Sequence, residues 1–221
     1  MRLPGLGGWS EDPLWSYVYP RLVDSGPLGR TAWRVGMGSD LGLLHHAAAE
    51  IGTLPAGSRV LDVPTGSGVA LRGVRPGQGL DVVAADISAT MLGRASATAR
   101  RLGVADQVTP TIADVGALPF GDATFDLVSS FTGLHCFPEP RRAIDEMVRV
   151  LVPGGVLTGS SLFTDTGLRY EPLRRGGTRM GVLGPMCSSS EARAWLREAG
   201  CDDVDLTLHG ALGYFRAVRG A

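Results

Sequence analysis

Neither lysine nor asparagine occurs in the 221 residues, and isoleucine occurs only four times. Every one of the 21 basic residues other than histidine is therefore arginine. Codons for the three scarce residues are AT-rich, so the shortage reads as the mark of a GC-rich, bacterial genome rather than a functional device. It still excludes chemistry: there is no lysine for a Schiff base, none for a phosphate-cradling P-loop, and no asparagine for an N-glycosylation acceptor. Cysteine is scarce as well. Cys136, Cys187 and Cys201 are odd in number and far apart, which fits neither a disulfide framework nor a zinc site. The four histidines show no metal-ligand spacing, so no metal is expected. No apolar run approaches the roughly 20 residues of a membrane span, and the start, MRLPGLGGWS, lacks the apolar core of a signal peptide. A cytoplasmic protein is expected. The formal net charge is −1 without runs of like charge, so neither a nucleic-acid stripe nor an anionic-membrane patch is suggested. The expected partner is a small molecule.

What is present is a chain 44% hydrophobic and 19% charged, enough to bury one core, and a single domain over 1–221 is expected. Residues 1–52 read as an N-terminal cap segment. It contains a helix over 40–51 behind a Ser39 cap, with Leu43, Leu44, Ala47 and Ile51 on one face. From 59 to 163 strands and helices alternate. RVLDV is a strand, SGVALRGV a short helix and LDVVAADI a strand. SATMLGRASATARRLGV is a helix capped by Ser88, with Met91, Leu92, Ala95, Ala99 and Leu102 on one face. Then follow the strands QVTPTIA and FDLVSSF, the helix PRRAIDEMVRVL and the strand GVLTGSSLF. Residues 164–187, rich in glycine and arginine, form a candidate lid. Residues 188–221 open with a helix whose Ser188 and Glu191 have capping-box spacing and close with a hairpin of DVDLTLHG and LGYFRAVR. The fold class is therefore α/β: a doubly wound, mostly parallel sheet of seven strands with helices on both faces and a C-terminal antiparallel hairpin.

In such sheets ligands bind beyond the carboxyl ends of the strands, near the switch point, where the stretch VLDVPTGSG at 60–68 falls. A dinucleotide fingerprint needs a third glycine at 71, where this chain has Leu71. An acid at the strand end, Asp62, suits a ligand bearing an ammonium group or hydroxyls rather than a pyrophosphate. Four stretches in order, VLDVPTGSG, VVAADISATMLGRA, IADVGALPFGDATFDLVSSFTGLHCFPEP and MVRVLVPGGVL, resemble the core of class I S-adenosylmethionine-dependent methyltransferases. The resemblance is strongest to the subgroup of ubiquinone and menaquinone biosynthesis, and it implies a Rossmann-like sheet.

The resemblance also implies roles. Asp62, Gly66 and Gly68 would surround the methionine end of S-adenosylmethionine, and Asp86 would accept hydrogen bonds from both ribose hydroxyls. Ile87 and Met91 would lie beside the adenine or ribose. Asp114 would take the adenine amino group with the Val115 N–H nearby, and Ser130 and Phe131 would border the sulfonium. Leu134 and His135 would face the acceptor. Taken alone, Asp86 is equally a capping neighbour of Ser88, and Asp114 equally a turn former. Pro64 departs from the family, which has glycine there, and removes one N–H donor.

His135 is the candidate general base, with packing or orientation of the substrate as its alternatives. Tyr17 and Tyr19 stand with Trp9, Trp15 and Trp33 in an aromatic N-terminal segment. That segment either covers the substrate or anchors itself to the core. Arg169, Arg174, Arg175 and Arg179 of the candidate lid either meet an acidic substrate or form a solvated face. The expected function is methyl transfer from S-adenosylmethionine to a small-molecule acceptor, at a hydroxyl oxygen, with S-adenosylhomocysteine as product. The alternatives are C-methylation of a quinone-like or aromatic ring, an S-adenosylmethionine-binding protein that transfers nothing, and a nicotinamide-dependent oxidoreductase that Leu71 disfavours.

Overall fold

A computed structural model describes residues 26–221. Trp9, Trp15, Tyr17 and Tyr19 therefore lie outside the described residues. The elements run α1 (Gly26–Met37), α2 (Leu41–Ala48), β1 (Arg59–Asp62), β2 (Asp81–Asp86), α3 (Ala89–Leu102), β3 (Val108–Ile112) and β4 (Phe125–Phe131). They continue with α4 (Pro140–Arg149), β5 (Leu151–Leu162), α5 (Glu171–Arg179), α6 (Ser189–Glu198), β6 (Cys201–His209) and β7 (Leu212–Arg219).

The seven strands form one sheet in the order β3-β2-β1-β4-β5-β7-β6. The first five are parallel, and β7 runs antiparallel between β5 and β6. Chain direction across the sheet reverses between β1 and β4, so the switch point lies above the ends of those two strands. The central strands are apolar at nearly every position because helices cover both faces. Alternate residues feed two cores. Leu61, Val83 and Val128 meet α4 and α6 through Ile144, Met147 and Leu196, while Val60, Val82 and Leu127 meet α2 and α3 through Leu44, Ala48, Ala95 and Ala99.

Local signals explain the helix ends. Ser88 caps α3 by accepting the Met91 N–H at 3.4 Å, and Gly103 closes it at φ 72°. Ser188 and Glu191 form the expected capping box at α6. Three expectations change. The α2 cap is Asp40, whose Oδ1 accepts the Gly42 N–H at 2.8 Å, whereas the Ser39 hydroxyl is buried 3.4 Å from that of Tyr214. The helix expected after the glycine turn is only a 3-10 turn, Ala70–Gly73. Pro76 disfavours helix at the residue before it, and Gly77 and Gly79, at φ 69° and 77°, turn the chain back into the sheet. Finally, 164–187 contains the helix α5. The buried Arg174 holds it down, donating to Phe163 O (3.4 Å), Thr166 Oγ1 (3.1 Å), Gly167 O (3.1 Å) and the Glu171 carboxylate (3.1 Å). No helix among the described residues is long and apolar enough to cross a membrane.

Candidate active site

The carboxyl ends of β1, β2, β4 and β5 converge on the turn 63–68. The turn is stitched to both neighbours of β1: the Val63 N–H donates to Ser129 O on β4 (2.9 Å), and the Thr65 N–H to Ala85 O on β2 (2.8 Å). The Val63–Pro64 bond is cis. Pro64 faces Gly133 in the loop after β4, where a side chain would run into the proline ring and lie 2.9 Å from both Phe137 Cζ and Ser130 Oγ. The two glycines of the turn do different work. A Cβ on Gly68 would come within 2.9 Å of Leu71 Cδ1 and 3.3 Å of Ala95 Cα, so this glycine lets the turn press onto α3. A Cβ on Gly66, at φ 53°, would project into open space.

At the same end of the sheet lie buried polar atoms outside any hydrogen bond. Asp62 is 1% exposed; its Oδ1 accepts the Ser129 hydroxyl at 2.9 Å, while its Oδ2 has no partner. Thr65 Oγ1 and Ser130 Oγ are also buried without partners. Burial pushes the Asp62 carboxyl up to about 7, against the Thr65 and Ser129 hydroxyls and with the help of the Asp86 charge; Thr65 stands near the carboxyl without hydrogen-bond geometry. Leaving a buried polar atom unpaired costs about 1–3 kcal/mol. Three such atoms at one end of the sheet fit an absent polar ligand better than they fit a finished core.

Asp86 closes the other side. Its Oδ2 accepts the Gly66 N–H and its Oδ1 the Ser88 N–H, both at 2.9 Å. It thus joins the turn to the α3 cap while each oxygen keeps a further lone pair. Burial raises its pKa against those backbone bonds. Ile87 beside it is 59% exposed, and Met91 is buried. Asp114, exposed after β3, accepts the Gly116 N–H at 2.8 Å and so forms the turn, with Val115 buried next to it. Phe131 and Leu134 are buried.

His135 differs from the expected base. Its Nδ1 accepts the Leu162 N–H at 3.0 Å and lies 3.2 Å from Ser161 Oγ. A ring nitrogen that accepts a backbone N–H carries no proton, which leaves the hydrogen on Nε2. Burial pushes the pKa down to about 4. At neutral pH the ring is uncharged and presents a donor, an arrangement that runs against the role of proton acceptor. The sequence reading also missed Thr132, a β-branched residue at φ 55°. It is held there by its N–H to Ser160 O (2.8 Å), at the exit of β4. No residue signal marks that conformation in advance.

Comparison with known proteins agrees with this geometry. The family described as "Methyltransferase domain" matches residues 61–158, the stretch from β1 into β5. A demethylmenaquinone methyltransferase of Clavibacter sepedonicus is 44% identical over 102 residues, covering 45% of this chain and 39% of that protein. The 27-O-demethylrifamycin SV methyltransferase of Amycolatopsis mediterranei is 35% identical over 156 residues, 68% of this chain and 57% of that one. The chain thus spans roughly half the length of the curated relatives it matches. Among solved structures, a Haemonchus contortus phosphoethanolamine N-methyltransferase 2 with S-adenosylhomocysteine superposes at a TM-score of 0.69, 16% identity, over 90% of this chain and 60% of that one. The [4+2]-cyclase SpnF superposes at 0.68, 21% identity, over 94% and 95%. The family match falls on the same strands and turn that gather the unpaired polar atoms, and residues 61–158 carry a methyltransferase domain of the class I S-adenosylmethionine-dependent kind.

Proposed function

We propose that this chain transfers a methyl group from S-adenosylmethionine to an oxygen of a small-molecule acceptor. The observation that carries the reading is the set of buried, unpaired atoms Asp62 Oδ2, Thr65 Oγ1 and Ser130 Oγ at the sheet end that also holds Gly66, over which a side chain would meet open space. These residues fit the cofactor's chemistry. Asp62 meets an ammonium group, and Gly66 leaves room for a carboxylate against the backbone. Gly68 keeps the turn on α3, and Asp86 accepts from the ribose hydroxyls. Ile87 and Met91 flank the adenosine, and Asp114 with the Val115 N–H takes the adenine edge. Ser130 and Phe131 border the sulfur. When bound, the cofactor supplies a methyl group already activated on a sulfonium, so the chain's own work is to position the acceptor and exclude water.

On the acceptor side stand Leu134 and His135, together with Tyr17 and Tyr19, which are assigned from the sequence alone. His135 serves as a donor through Nε2–H, holding an acceptor oxygen that has lost its own proton, as an acidic phenol or enol does. The uncharged ring also favours a second reading, methylation of an electron-rich ring carbon, which needs no base at His135. The demethylmenaquinone-methyltransferase relatives support it.

The test is calorimetric titration of cofactor-stripped protein with S-adenosylhomocysteine, with NAD as control. Micromolar binding of the first alone is expected. Asp86→Ala should weaken it roughly 10-fold or more, the worth of hydrogen bonds to a charged group. Absent binding, or binding indifferent to Asp86, refutes the cofactor site. Labelled methyl groups followed into phenols and into quinols with an open ring position then separate oxygen from carbon transfer.

A further inference from the structure

A groove of about 430 Å³ runs between α5 and the segments following β5, lined by Thr164, Glu171, Arg174, Arg175, Thr178, Arg179 and Met186. No role in cofactor binding reaches it. It nevertheless opens at the same end of the sheet. Leu162 donates to the His135 ring (3.0 Å), Thr164 follows two residues later, and the Gly184 N–H returns to His135 O (2.8 Å) just before Met186. We infer that this groove is the subsite for a carboxylate carried by the acceptor, so that the acceptors are small carboxylic acids. The inference rests on the methyl-transfer reading for its acceptor but not for its binding chemistry.

Three arginines and one glutamate line the groove, and their pairing decides which arginines are available. Arg174 is spent on the carbonyls of Phe163 and Gly167, on Thr166 and on Glu171, and fastens α5 in place. Arg175 donates to the other Glu171 oxygen at 2.8 Å, and its side chain remains 70% exposed. Glu171 is therefore neutralised from two sides. The other nearby acid, Asp165, is turned away onto the N–H and hydroxyl of Ser189, at 2.9 and 2.6 Å. Arg179, one helical turn after Arg175, forms no ion pair among the described residues. Two guanidinium groups four residues apart share a helix face, and the Thr164 and Thr178 hydroxyls line the same groove. This set suits a planar oxyanion that takes two N–H bonds side by side.

Benzoate serves as the probe, benzamide as its uncharged counterpart and inorganic phosphate as a competing oxyanion. Each is titrated into the protein loaded with S-adenosylhomocysteine while the arginine Nε–Hε resonances are followed. Benzoate is expected to shift the Arg175 and Arg179 signals and saturate at millimolar concentration, with benzamide silent and phosphate no better than benzoate. Arg179→Gln should weaken benzoate roughly fivefold, a modest loss because the site is open to solvent, and leave the affinity for S-adenosylhomocysteine unchanged. Equal shifts from benzamide, a preference for phosphate, or no shift at all would overturn the inference. If S-adenosylhomocysteine itself fails to bind, the methyl-transfer reading falls instead, while benzoate saturation of the unloaded protein still decides the subsite.

Discussion

Two buried groups at the strand ends oppose each other as pH changes, and separating them tests the electrostatics of the site. Asp62 is raised from 3.8 to about 7. Between those values the native state keeps a proton that the unfolded chain has lost, so stability falls as pH rises through that window. His135 is lowered from 6.5 to about 4. There the unfolded chain holds a proton that the native state refuses, so stability falls as pH drops from 6.5 towards 4. Each group contributes a slope of about 1.4 kcal/mol per pH unit, with opposite signs. From about pH 4.5 to 6.5 the two cancel.

Asp62→Asn removes one slope. Relative to wild type, the variant should gain about 3 kcal/mol of stability between pH 4.5 and 6.5, that is, over two units of the His135 slope. His135→Gln should lose about as much over the same interval, and the double variant should again run parallel to wild type. Urea unfolding followed by circular dichroism at several pH values measures all four. Because each protein is compared with itself at two pH values, any fixed cost of a substitution drops out. The titration of Asp86, which is also raised by burial, is common to all four proteins and cancels when each variant's change with pH is set against that of wild type. If Asp62→Asn keeps the pH dependence of wild type, Asp62 is not a neutral buried acid and the argument for an unpaired site loses its electrostatic part.

The same carboxyl should report ligand binding. An ammonium group beside Asp62 favours its ionised form, so S-adenosylhomocysteine should release a proton on binding near pH 6, visible as a binding heat that changes with the ionisation enthalpy of the buffer. A buffer-independent heat would place the ammonium group elsewhere. The turn glycines should separate in a second way. Gly66→Ala costs about 1–2 kcal/mol of stability for its left-handed backbone and abolishes cofactor binding, because its methyl enters the open space. Gly68→Ala should cost more stability than that, since its methyl meets Leu71 and Ala95. Thermal melts and calorimetry compare the two, and equal behaviour would refute the division of labour.

All seven strands were legible, the central ones because a sheet covered on both faces writes them as apolar runs, and the edge strands β3 and β6 because β-branched or alternating apolar residues mark them despite their exposure. Ser88, Ser188 and Glu191 showed their caps for a similar reason: the motif is complete within four residues. What could not be read depends on partners far away in sequence. The protonation of His135 is decided by the Leu162 N–H, 27 residues on, and the setting of Pro64 by Gly133 across the sheet. Ser39 and Asp40 are both capping residue types, and only the direction of the chain chooses between them. The helix α5 hides behind Gly176 and Gly177, poor helix formers, and the anchor that steadies it, Arg174, looks in sequence like one more solvated arginine.

The position of β7 between β5 and β6 bears on how the chain is made. On the ribosome β6 emerges before the strand it must pair with, and β5 offers an unfilled edge until β7 has left the tunnel. For that interval the growing chain carries two open strand edges at once, the condition in which one nascent protein recruits another. The charges spaced along β6, Asp202, Asp203 and Asp205, make that early strand a poor template for a stranger while it waits.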